Sequence, residues 1–182
     1  HHADEAHVLQ LHLTGDIQPQ RLRSHDLSEI ITVYEDAIAA VVARQHPGIK
    51  PESIAVGLVE VGAGSVALTF DAALPEYVYP AALDITRAIA SAHWADLPLR
   101  AVKPLRKLVQ FLRQKDLAVH FHTVYGAETA VAVVTKSTDI PPAVTLYGQT
   151  EIIAEVKRVG GKEPRAMLET LRGDTLYCET TA

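Results

Sequence analysis

Two pairs of short apolar runs, each joined by only three or four residues, constrain this chain most. The first pair is IAVGLVEV (54–61) and SVALTF (65–70), linked by Gly62, Ala63 and Gly64. The second is LAVHFHTV (117–124) and TAVAVVT (129–135), linked by YGAE. Loops so short join antiparallel neighbours, because a parallel pair needs a crossover of a dozen or more residues. A doubly wound parallel sheet is thereby disfavoured. Gly57, inside its run, marks a bulge or a close backbone approach.

A further strand precedes them. In HVLQLHLT (7–14), Leu9, Leu11 and Leu13 alternate with Gln10, His12 and Thr14, the period-two pattern of a half-buried strand. Gly15 and Asp16 end it. Three helices fill the remaining space. One starts near Asp26, as cap with Glu29 at capping-box spacing, and carries Leu27, Ile30, Ile31, Tyr34, Ile38, Val41 and Val42 on one stripe. HPGIKP (46–51) stops it. A second starts near Pro80 and turns Ala81, Ile85, Ala88, Ile89 and Ala92 inward. A third starts near Pro104, with Leu105, Leu108, Val109 and Leu112 as its stripe. The order β-α-β-β-α-α-β-β gives an α+β fold: an antiparallel sheet with three helices.

KSTDIPPA (136–143) breaks this pattern, since its two prolines remove backbone donors and hold the path extended. The expected division is an α+β domain over 1–136, a linker over 137–143, and a β-meander over 144–182 that forms part of a small barrel. In the meander Ile152, Ala154 and Val156 oppose Glu151, Glu155 and Lys157, VGGKEP (159–164) and RGD (172–174) supply turns, and Leu176 and Cys178 share a face. About forty residues lie near the lower limit for a self-sufficient core.

With 182 residues, 48% hydrophobic and 21% charged, the composition is that of a globular protein. No apolar run reaches the roughly 18 residues of a membrane span. No signal-peptide pattern opens the chain, and a single cysteine, Cys178, forbids an intrachain disulfide, so the expected compartment is the cytoplasm. His1 and His2 are tag-like and are set aside from site reasoning.

Charge is unevenly spread. The net charge is −5, yet RAVKPLRKLVQFLRQK (100–115) carries +6 and no acid, leaving −11 elsewhere. Arg100, Lys103, Arg106, Lys107, Arg113 and Lys115 form the candidate binding surface, toward an acidic partner. A protein fits better than nucleic acid, because Phe111 alone offers no stacking platform. The ordinary alternative is a solvated helical face.

Other motifs read as structure. GAGS (62–65) precedes a strand, whereas phosphate loops open a helix, and Ser65 lacks the strand-to-helix elbow of a nucleophile. RGD sits where turn chemistry is ordinary, and Cys178 reads as a small buried hydrophobe. His120 and His122 share a strand face and would meet His12 if their strands were neighbours, the candidate metal set. Solvent-facing strand histidines are the simpler reading, and no cofactor is called for.

LYGQTEIIAEVKRVGGKEPRAMLETLRGDTLYCE resembles the corresponding region of an uncharacterised group of bacterial proteins. It does so through Tyr147, Gly148, Val159, Gly160, Gly161, Pro164, Gly173, Leu176 and Cys178. VGAGSVALTF resembles that group's glycine-serine hairpin. The resemblance implies an α+β region followed by a small barrel, of which this chain holds the first part, and implies no activity. The resulting expectation is a non-catalytic cytoplasmic binding or adaptor protein that uses the basic helix. The alternative is a metal-dependent enzyme using His12, His120 and His122.

Overall fold

Leu9, Leu11 and Leu13 alternate with Gln10, His12 and Thr14 to build strand β1 (His7–Gly15), and the three leucines are fully buried. The computed structural model describes residues 6–15, 17, 22–61, 66–141, 154–159, 165–170 and 175–179. The glycine loop 62–64, Ser65, Tyr147, Gly148, the turn over 160–164 and the turn over 172–174 lie outside them. So does the side-chain burial expected for Leu176 and Cys178.

Both hairpins form. Strands β2 (Val56–Val61) and β3 (Val66–Ala72) pair antiparallel, as do β4 (Leu117–Tyr125) and β5 (Glu128–Val134). β1 lies between the hairpins, pairing β3 on one side and β4 on the other, so the sheet order is β2-β3-β1-β4-β5. The pairing of β2 with β3 slips between Leu58 and Glu60, a bulge just beyond Gly57.

Three helices cover one face of this sheet. Helix α1 (Ser24–Gln45) buries Ile30, Tyr34, Ile38, Val41 and Val42. It begins two residues before Asp26. Asp26 is therefore not the cap; its carboxylate accepts the Arg23 backbone N–H at 2.7 Å, the returning half of a capping box.

Helix α2 (Pro75–Ser91) starts five residues before Pro80, and α3 (Leu99–Lys115) five before Pro104, so both prolines lie inside helices. The favoured first position is taken by Pro75 in α2, while Pro98 caps α3. A proline on the second turn forfeits one backbone hydrogen bond, which the burial of each stripe offsets. In α3, burying Leu105, Leu108 and Leu112 contributes about 1.5–3 kcal/mol apiece. α1 packs against both other helices, and α2 rests on β4 and β5. Leu9, Leu11, Leu68, Phe70, Val119, Phe121, Ala132 and Val134 meet the helical stripes in one core. The other face of the sheet carries Gln10, His12, His120, His122, Val131 and Val133, and none of these is buried.

The chain divides into two compact units, His1–Pro142 and Ala143–Ala182. The second unit holds a three-stranded antiparallel meander of β6 (Ala154–Val159), β7 (Arg165–Thr170) and β8 (Thr175–Glu179). No helix among the described residues is long and apolar enough to cross a membrane.

Residues 136–141 are not a free tether. Arg113 Nε donates to the Lys136 carbonyl at 2.9 Å, and Arg106 Nη2 donates to the Pro141 carbonyl. Lys136 Nζ reaches Asp116 Oδ1 at 2.7 Å, which holds that carboxyl below its usual range. These contacts strap the segment onto α3. Replacing Arg106 and Arg113 together with alanine should free it at a cost of about 1 kcal/mol, so that limited proteolysis within 136–143 runs about fivefold faster. Unchanged cleavage would mean the arginines do not hold it.

Candidate functional site

The six cations of α3 separate into two groups. Arg106 and Arg113 are spent on the strap, and Lys115 Nζ lies 3.6 Å from the buried Asp26 carboxylate. Arg100, Lys103 and Lys107 make no hydrogen bond or ion pair among the described residues, and all three are exposed. Their spacing of three and then four residues sets them on one edge of the helix. The basic surface read from the sequence is therefore half structural and half available.

The available half borders a groove of about 660 Å³ between α1 and α3. Arg100, Lys103 and Lys107 line its α3 wall, and Glu29 and Asp36 line its α1 wall. Small or apolar side chains lie between the charged rims, among them Thr32, Val33, Ala39, Ala40, Ala43 and Pro104. Pro104 has a second consequence, because without an N–H it leaves the Arg100 carbonyl lacking its usual donor four residues on. Sequence inspection missed the α1 wall. The signal was present in Ser28, Thr32, Asp36, Ala40 and Ala43, a small or polar line at helical spacing on the side away from the stripe.

A smaller cavity of about 350 Å³ lies between α1, α2 and the turn following α2. Its charges are largely engaged, with Gln45 donating to Asp84 at 2.6 Å and Arg87 paired to Glu128 at 3.0 Å. It offers less than the groove.

The histidines partly converge. His12 sits directly opposite His120 across β1 and β4, with ring centroids 5.9 Å apart. His122 faces Gln10 and Val131 instead. One His120 nitrogen lies 3.1 Å from the Thr14 hydroxyl, while His12 Nε2 is shielded from solvent and has no hydrogen-bond partner among the described residues. Among the described residues no group of three histidine, cysteine or carboxylate side chains is placed to share a metal ion. Two imidazoles alone are half a coordination set.

Compared with protein-family models, curated proteins and solved structures, the chain shows no match.

Proposed function

We propose that the protein is a non-catalytic binding module that seats an acidic, amphipathic protein segment in the groove between α1 and α3. The observation that carries this reading is the row of three unpaired cations beside a small-residue, partly apolar floor. A helix fits such a groove by laying an apolar stripe on the floor and turning carboxylates toward the cations. Nucleic acid fits less well, because Glu29 and Asp36 would face its phosphates and, among the described residues, His25 is the one aromatic ring lining the groove, with no Phe, Tyr or Trp beside it as a stacking platform. The cytoplasm suits such an adaptor. The meander β6–β8 is read as part of a small barrel, in keeping with the family resemblance above.

Charge reversal separates this reading from a merely solvated helix. The test uses a labelled amphipathic helical peptide of about 20 residues with glutamates along one edge. Lys103→Glu with Lys107→Glu should weaken its binding about tenfold and flatten the salt dependence. Stability should stay within about 0.5 kcal/mol, since both side chains are exposed. Equal binding by the folded variant would refute the reading.

A further inference from the structure

The two edges of the five-stranded sheet are finished differently. At β2 the ladder is interrupted by the bulge between Leu58 and Glu60, and the Val56 N–H is taken by Glu35 Oε2 at 2.9 Å. Bulges and capped donors are the usual ways of keeping an edge from pairing with another chain. At β5 no such device is present. The strand pairs with β4 in unbroken register from Glu128 to Val134, without proline, glycine or an internal charge. Val131 and Val133 stand 64% and 45% exposed on its uncovered face, and no described strand pairs with its outer side.

We infer that β5 is a self-association edge, pairing antiparallel with β5 of a second copy of this chain to make one continuous ten-stranded sheet. Self-pairing suits the strand for two reasons. The alternation Thr129-Ala130-Val131-Ala132-Val133 reads alike in both directions, so a two-fold axis through its middle keeps Ala130 and Ala132 on the covered face. The same operation sets Val131 beside its counterpart and Val133 beside Thr129 of the second copy on the open face.

The ends of the strand are also complementary. Glu128 at the start and Lys136 just beyond the end have half-exposed side chains, bound on one side to Arg87 and Asp116 respectively. Antiparallel pairing brings each Glu128 toward the Lys136 end of the second copy, whereas parallel pairing would set glutamate beside glutamate. The groove between α1 and α3 is not involved.

The test is sedimentation equilibrium of the whole chain from about 10 to about 500 µM, with backbone hydrogen exchange followed over the same range. A monomer–dimer equilibrium is expected, together with exchange protection in β5 that grows with concentration. Val131→Lys with Val133→Lys should weaken the dimer at least tenfold, as edge lysines do, with an unchanged melting temperature at concentrations where the parent is monomeric. A chain that stays monomeric throughout would overturn the inference. So would a dimer that the double variant leaves intact, or β5 protection independent of concentration, which would mean that another segment of the same chain covers the edge.

Discussion

Phe121→Ala should be the most damaging single truncation in the first unit, costing about 3–5 kcal/mol. Phe121 is 1% exposed and lies mid-sheet, with Leu11 opposite it on β1 and Ala132 opposite it on β5. Its ring stands edge-on to Tyr34, centroid to centroid 5.5 Å, and Tyr34 meets Phe70 at 5.9 Å in the same manner. Removing it opens a cavity between sheet and helices that Ala132 is too small to fill. The site has little tolerance to spare. The Tyr34 hydroxyl is already buried beside Thr123, with no hydrogen bond of normal geometry among the described residues, and burial pushes that phenol well above the ordinary tyrosine range. Domains of this size have a net stability of only about 5–15 kcal/mol. Urea unfolding should show a sharply lower midpoint with an unchanged slope, while a loss under 1 kcal/mol would mean that the core closes up around the gap.

Gly15→Ala should come next, at about 2–4 kcal/mol, through the backbone rather than through lost contacts. Gly15 ends β1 at φ +114°, and a Cβ there would lie 2.6 Å from the Asp116 carbonyl oxygen and 3.2 Å from Leu117 Cα. Both obstacles are backbone atoms, so no rotamer change relieves them. Asp116 itself turns α3 into β4 in a left-handed conformation, φ 54°, and cannot yield cheaply. The strain therefore spreads along the β1–β4 ladder and into the end of α3. A thermal melt reads the effect, and a variant as stable as the parent would show that this junction shifts freely.

Alternation located β1, short apolar runs located the strands of both hairpins, and the short loops fixed antiparallel pairing within them. The strand order was not legible, because nothing in HVLQLHLT says which hairpin it joins, and it joins both. Pro80 and Pro104 misled because proline is the usual start signal. The true starts are marked by Pro75 and Pro98, and two well-buried stripes tolerate a second-turn proline. At the candidate site the six cations could be counted from the sequence, but not which were spent. Arg106 and Arg113 bind carbonyls 35 and 23 residues away, and Lys115 meets an aspartate on α1. Such long-range polar contacts leave no periodic trace. The acidic wall opposite Lys103 belongs to α1 and came into view only once α1 lay beside α3. His12 and His120 were on the right faces, yet register placed His122 opposite Gln10.

Mapping where an acidic partner lands is the decisive measurement. Backbone amide shifts of the isotope-labelled whole chain would be followed while the glutamate-edged amphipathic peptide is added. Shifts should gather at Ser28, Thr32, Ala39, Arg100, Lys103 and Lys107, on both walls of the groove, and fade as salt rises. A peptide that binds while leaving these amides unmoved, or that perturbs the β4–β5 face instead, would contradict the groove as the binding site.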